Sequence, residues 1–484
     1  MNKELKRITI VVLAMFVALF VSSTYITGIQ ADSLRNDPRN TRAILQSYSA
    51  QRGAILVDNQ AVAQSVASND QYKFLRTYAN GPLYAPITGY FTLGEGSTGL
   101  ESALNKELTG KANNQFLDQL NDTLTGKVPE GASVSTTIDA KAQQVAYDAL
   151  GNNTGAVVAI EPSTGKILAM VSKGSYDPNT LATHDRASVL KAYDALIADS
   201  TQPLINRTIQ GNLYFPGSTF KLVVAAAAFA SGKYTKDSQL PNPATLTLPQ
   251  SSTQINNAEG GSCGGGDTVT IETALIDSCN IPFAELGQQL GYKAINDMAK
   301  SFGWESALAI PQTVQKSVFP AVDGDATLML QSFGQGSVRE TPLQIAMTTA
   351  AIANGGKEMT PTLVQSILNP DLSTLQAFKA KTLGTPISKS VASQLTALMV
   401  EVVNQGTGTN ARISGVDVAG KTGTAENGTG QPYTLVFTGF APANDPKVAV
   451  AVVVGNGAGQ GQSATGNSAA APIAKQVMEA VLNK

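Results

Sequence analysis

Phe215-Pro216-Gly217-Ser218-Thr219-Phe220-Lys221 runs directly into Leu222-Val223-Val224 and four alanines. Pro216-Gly217 reads as a turn and the apolar run after it as a helix. Ser218 therefore stands at a helix start, with Lys221 three residues on. Residues i and i+3 share a helix face, so the hydroxyl and the amine can meet. A serine is a poor nucleophile until a base takes its proton. A neutral lysine can be that base, and both the positive end of the helix and desolvation by its apolar surroundings push the amine toward neutrality. The same helix end can offer a backbone N–H to a developing oxyanion. Taken alone, Ser-x-x-Lys is also consistent with a capping serine beside a solvated lysine.

Two further motifs separate these readings. Ser278-Cys279-Asn280 follows about sixty residues downstream, and Lys421-Thr422-Gly423-Thr424 lies inside 417–425, which reads as a strand. In this order the three motifs resemble the set shared by serine β-lactamases and penicillin-binding proteins.

The 484 residues are too many for one ordinary domain, and 43% hydrophobic content supports a large core. A net charge of −2 without a basic run speaks against nucleic acid as a partner. The single histidine, His184, lies in Ala182-Thr183-His184-Asp185, a loop context and not that of a Ser-His-Asp triad. One histidine and two cysteines exclude metal sites built on several such residues, and no cofactor is expected. Cys263 and Cys279 can pair if this part of the chain lies outside the cell. The bridge would fix the backbone beside Ser278 and Asn280 and contribute roughly 3 kcal/mol in the chain-entropy model. Two free thiols are the alternative.

Lys3, Lys6 and Arg7 precede an uncharged, mostly apolar run from Ile8 to Gly28. Such a run is long enough to cross a bilayer as a helix. The positive flank places residues 1–7 in the cytoplasm and the rest outside, and the run is long for a cleaved signal peptide. Residues 31–135 form shorter, more polar segments and read as a non-catalytic spacer. Within it Asp37-Pro38-Arg39-Asn40 is a turn, Gln51–Asp58 a strand entering a turn at Asn59-Gln60, and 93–110 a helix with a glycine stop. From 136 to 484 a second domain is expected. A helix over 140–150 precedes a hairpin over 155–171, another hairpin spans 433–454, and a helix over 469–482 closes the chain. The stretch between Ser218 and Asp417 is mostly helical. The fold class is therefore α+β: a helical block inserted into an antiparallel sheet, with the active site at the seam.

Across nearly the whole chain the sequence resembles a class B penicillin-binding protein, a membrane-anchored D,D-transpeptidase of peptidoglycan, and within that class the short actinobacterial type. Arg52-Gly53-x-Ile55 with Asp58, and Gly99-Leu100-Glu101, resemble motifs of the pedestal domain. Asn206-Arg207, Tyr214–Lys221 and Gly334-Gln335-Gly336 with Thr341-Pro342-Leu343-Gln344 resemble segments around the nucleophile. The start (Ala31 to Asn40) and the tail (Ser463-Ala464-Thr465-Gly466) are similar to the actinobacterial type. Gly455 departs from the acidic residue expected before Asn456, and Cys279 from the usual middle of the second motif.

The resemblance implies a role for each motif residue. Ser218 is acylated, Lys221 activates it, Ser278 relays protons to the leaving amine, and Asn280 orients Lys221 and the substrate amide. Lys421 faces the substrate carboxylate with Thr422 and Gly423, and the N–H groups of Ser218 and Thr424 form the oxyanion hole. The implied substrates are peptidoglycan stem peptides ending in D-Ala-D-Ala, with β-lactams as covalent inhibitors. The implied partner is a membrane glycosyltransferase of the elongation or division type, met through the transmembrane helix and the pedestal. For Arg52, Gly53 and Glu101, packing within the pedestal is the competing reading. Other readings of the triplet are a D,D-carboxypeptidase, a β-lactamase, and a non-enzymatic penicillin-sensing or partner-regulating protein. A β-lactamase needs a deacylating base, and Glu340 before Thr341-Pro342 reads instead as charge at a helix start.

Overall fold

The computed structural model describes residues 3–31, 34, 48, 50–112, 115, 130–258 and 260–483. The turn expected at Asp37–Asn40 lies outside the described residues. Near the N-terminus Lys3–Thr24 is helical and Tyr25–Ile29 continues it as a π-turn. These 27 residues are exposed and include an apolar run long enough to cross a membrane.

The pedestal is built on a six-stranded sheet. Ile55–Val57 and Gln60–Ala67 form a hairpin whose turn is Asp58-Asn59, both with positive φ (46° and 62°). The turn thus falls one residue earlier than expected, because Asp and Asn tolerate the left-handed region that a two-residue hairpin needs. Phe74–Tyr78 adds an edge strand, and Ser133–Thr136 pairs in parallel with Ile55–Val57. The sheet is completed from far along the chain: Val364–Leu368 pairs with Ser133–Thr136, and Thr374–Ala377 lies beyond it. A boundary at 135/136 therefore cuts through a strand, and the pedestal is not one continuous segment. In place of one helix over 93–110 there are two short ones, Gly99–Ala103 and Asn105–Leu108, ending at Gly110 with φ +73°.

Arg52, Arg76 and Glu101 lie inside the pedestal. Glu101 Oε2 accepts from Arg52 Nη2 at 2.7 Å, and Oε1 from Arg76 Nε at 2.6 Å and the Tyr78 hydroxyl at 3.2 Å. Burial raises the Glu101 carboxyl, but Arg76 and Arg52 outweigh it and hold it below the usual carboxylate range. A Cβ on Gly53 would stand 1.9 Å from the Ala132 carbonyl. These residues pack the pedestal and do not form a surface.

The second domain centres on an antiparallel five-stranded sheet. Its order is Ala419–Ala425, Thr434–Ala441, Val448–Val454, Gly155–Ile160, Ile167–Ser172. Four of these strands are buried along their whole length, which is why they read as apolar runs and not as alternation. Helices cover both faces: Ala140–Leu150 and Ala471–Leu482 on one, Pro342–Ala353 on the other. The edge strand Ala419–Ala425 faces the helical block, where Lys221–Ala230 packs against Asn280–Leu290, Tyr292–Ser301 and Lys389–Asn404.

Candidate active site

Ser218 lies in a 3₁₀ turn, Gly217–Phe220, and Lys221 opens the helix Lys221–Ala230. In a 3₁₀ turn residues i and i+3 eclipse, so Ser218 and Lys221 are spaced by a tighter turn than the α-helix expected from the sequence. Gly217 has φ +54°, and a Cβ there would stand 3.1 Å from the Thr424 carbonyl oxygen and 3.3 Å from its nitrogen. Glycine is required both for the turn and for the approach of the edge strand. The Gly334–Glu340 segment supports the turn from below. The Gly217 N–H donates to the Gly334 carbonyl (3.1 Å), Arg339 stacks 3.3 Å from the Phe215 ring centre, and Tyr214 and Glu340 exchange backbone hydrogen bonds.

Lys221 is fully buried. Its Nζ donates to the Ser278 carbonyl at 2.7 Å and to Asn280 Oδ1 at 2.9 Å. Burial, reinforced by the Lys421 cation, pushes this amine well below the usual lysine range. Lys421 Nζ donates to Ser278 Oγ at 2.7 Å and to the Thr422 carbonyl at 3.1 Å, and burial lowers the amine to about 7. Ser278 thus joins the two lysines, its carbonyl meeting one and its hydroxyl the other. Its backbone lies in the left-handed region, φ +60°, a conformation seldom held by a residue other than glycine without a constraint.

Three constraints surround it. Cys263 and Cys279 are bonded to each other, with Cα atoms 5.8 Å apart. The Cys279 N–H donates to the Ala274 carbonyl. Asn257 Oδ1 accepts from the backbone N–H groups of Asn280 and Ile281, capping the helix Asn280–Leu290. Sequence reasoning missed Asn257, because a single asparagine in a polar loop carries no spacing signal.

Thr422 and Gly423 lie on the edge strand beside the Ser218 turn, where a Cβ on Gly423 would stand 2.8 Å from the Pro216 carbonyl. Thr422 Oγ1 donates to Thr407 Oγ1 at 2.8 Å, and Thr424 Oγ1 accepts from the Gly466 N–H at 3.2 Å. Thr407 was also missed; its signal was the Gly406-Thr407-Gly408 triplet after a helix. Gly466 belongs to the tail segment Ser463–Gly466.

Two residues stand elsewhere. His184 Nδ1 pairs with Asp70 Oδ2 of the pedestal (2.5 Å) among the rings of Tyr48 and Tyr72. Glu340 is not capping-region charge: it is buried, and desolvation raises its carboxyl well above the usual range. The helix Pro342–Ala353 is capped instead by the Thr341 side chain, which accepts from the Gln344 N–H.

The penicillin binding protein transpeptidase domain model matches residues 155–479, which include the whole of this constellation. The chain belongs to the penicillin-binding protein transpeptidase family. A second model, the penicillin binding protein A dimerisation domain, matches residues 52–134 of the pedestal. Over its full length the chain is 43% identical to the peptidoglycan D,D-transpeptidase PbpA of Mycolicibacterium smegmatis, of which all is covered. It is 44% identical to the PbpA of Mycobacterium tuberculosis, over 100% of this chain and 99% of that one. The structure is similar to penicillin-binding protein A from M. tuberculosis in its ceftriaxone acyl-enzyme complex. The TM-score is 0.87 at 42% identity, covering 90% of this chain and all of that one. Together with the N-terminal apolar helix, family membership makes this a membrane-anchored protein.

Proposed function

We propose that the chain is a D,D-transpeptidase that crosslinks peptidoglycan stem peptides through an acyl-enzyme on Ser218. The observation that carries this reading is the hydrogen bonding of Lys221. A neutral amine has two N–H bonds and one lone pair. Both N–H bonds are used, on the Ser278 carbonyl and Asn280 Oδ1, which leaves the lone pair for the Ser218 proton. Ser218 Oγ then attacks the penultimate carbonyl of D-Ala-D-Ala. The oxyanion is met by the N–H groups of Ser218 and Thr424, whose backbones are brought together at Gly217. Ser278, with its hydroxyl oxygen held by Lys421, passes its proton to the departing D-Ala nitrogen and takes in return the proton that Lys221 removed from Ser218, so that Lys221 is neutral again. Lys421 as a cation, with Thr422 and Gly423, receives the terminal carboxylate. The amine of a neighbouring stem attacks the ester carbonyl and gives up a proton to neutral Lys221, which returns it to Ser218 Oγ as that oxygen leaves. A β-lactam enters the same path, and its leaving nitrogen stays tethered.

The basic residues before Ile8 favour a cytoplasmic N-terminus and an external catalytic domain. A multi-pass membrane glycosyltransferase is the partner that this arrangement suits. Since Arg52, Gly53 and Glu101 are interior, contact with it falls to the apolar helix and the outer pedestal. Co-purification from membranes tests this: absence of any such transferase would refute it.

Labelling the purified full-length protein with a fluorescent penicillin, beside Ser218→Ala, tests the central reading. A stable covalent band lost in the variant is expected. A band that decays within seconds would instead indicate a β-lactamase, and no band in folded protein would refute the assignment. Turnover of a D-Ala-D-Ala peptide with an amine acceptor then separates transfer from carboxypeptidase hydrolysis.

A further inference from the structure

Behind the Ser218 turn lies a cavity of about 10 Å³, room for about one water, walled in part by Thr219, Phe220, Glu340, Thr348, Thr349 and Thr438. The turn Gly217–Phe220, the helices Lys221–Ala230 and Pro342–Ala353 and the strand Thr434–Ala441 meet there. Among the described residues on its wall Glu340 alone is titratable. Lys221 opens one of these helices but extends to Ser278 and Asn280, and Arg339 stacks on Phe215. Glu340 is 3% exposed, and among the described residues its carboxyl has no hydrogen-bond or ion-pair partner. A buried glutamate is ordinarily paired, as Glu101 is with Arg52 and Arg76. Unpaired, Glu340 is held as the neutral acid, which has one O–H to donate.

The wall of the cavity accepts such a hydrogen. A threonine hydroxyl has one proton and two lone pairs. Thr219 Oγ1 donates to the Pro216 carbonyl at 2.8 Å, and Thr438 Oγ1 to that of Val450 at 2.9 Å. The Thr349 and Thr438 hydroxyls are 2.7 Å apart, so the proton between them comes from Thr349. Three of the four threonine hydroxyls have thus committed their protons, and what they have left is lone pairs. Thr348 Oγ1 accepts from Gln344 Nε2 at 3.4 Å. A carboxylate would face mainly acceptors here, whereas a neutral carboxyl supplies a donor. Thr219 connects the cavity to catalysis. It follows Ser218, and its bond to the Pro216 carbonyl closes the turn that carries the hydroxyl and one N–H of the oxyanion hole. Glu340 already holds the approach to that turn through its two backbone bonds with Tyr214.

We propose that Glu340 is a positioning residue for acylation: its carboxyl O–H donates within this cavity to Thr219 Oγ1, directly or through one water, and fixes the turn that presents Ser218. The proposal rests on the reading of Ser218 as the acylated residue. Small displacements of a nucleophile are costly to rate, so a support behind the turn acts on the chemical step more than on binding.

The test follows acylation of the full-length protein in detergent by benzylpenicillin in stopped flow, at drug concentrations up to saturation, so that the limiting rate is separated from the concentration at half-saturation. Glu340→Met, similar in length but without a donor, should lower the limiting rate by about tenfold, the loss of one hydrogen bond, and leave half-saturation unchanged. Glu340→Gln keeps a donor and should recover most of that rate. In a Thr219→Val background, Glu340→Met should have no further effect. Circular dichroism checks that each variant is folded, and Glu340→Leu takes the place of Glu340→Met if that one is not. An unaltered rate in Glu340→Met, an equal loss in Glu340→Gln, a loss confined to half-saturation, or additive effects with Thr219→Val would overturn the role. Absence of acylation in the folded wild type would instead overturn the Ser218 reading, and the positioning role with it.

Discussion

Glu358→Gln should remove a large part of the pH dependence of folding stability. Glu358 sits in the short strand Glu358–Met359, 2% exposed, and among the described residues neither carboxyl oxygen has a hydrogen-bond partner. Desolvation raises its pKa from 4.5 to about 8. The folded chain therefore holds a proton that the unfolded chain releases. Stability from this group is complete below pH 4.5, falls as pH rises through 8, and levels off above that. A shift of this size corresponds to about 5 kcal/mol in all, of which about 3.5 kcal/mol is lost between pH 5 and pH 8. Glutamine does not titrate, so the stability difference between wild type and Glu358→Gln should change by that amount over the window. Other groups cancel in the difference. The assay is urea unfolding of both proteins at pH 5, 6, 7 and 8, followed by the fluorescence of Trp304. This is the single tryptophan of the chain, buried and next in sequence to Gly303, which the Glu358 carboxyl approaches. Parallel curves would show that the carboxyl ionises freely in the folded chain and would refute the reasoning.

Three other outcomes follow from the geometry. Glu101→Ala leaves two buried guanidinium groups without their anion and should destabilise the protein by about 3–5 kcal/mol, read as a lower thermal midpoint; an unchanged midpoint would reject the buried network. Lys421, lowered to about 7, loses its charge as pH rises through neutrality. The second-order rate of acylation by benzylpenicillin, which carries a carboxylate, should fall from pH 7 to 9 in stopped flow, and a flat profile would argue against that role. Thr407→Val removes the acceptor that holds Thr422 Oγ1 and should slow the same acylation by about tenfold with the fold intact, whereas an unaltered rate would make the contact incidental.

Local signals in the sequence carried much of the fold. The helix Ala140–Leu150, the hairpin Gly155–Ser172 and the strands flanking Ala443–Pro446 stand within a few residues of where periodicity and turn residues put them, because a period and a turn are properties of adjacent residues. The three motifs around Ser218, Ser278 and Lys421 were legible for the same reason: each is a short run confined to one turn or strand. The tertiary structure decided what depends on distant partners. The pedestal sheet takes two strands from 364–377, Glu340 is buried and not a solvated cap, and Asn257 and Thr407 hold the second and third motifs respectively. The protonation of Lys221 was decided there too. A helix start suggests a neutral amine, but the Ser278 carbonyl, Asn280 Oδ1 and Lys421 that surround it come from chain 57 to 200 residues away. Burial and the pairing of polar groups are set by whatever packs against a residue, and only the folded chain brings those neighbours together.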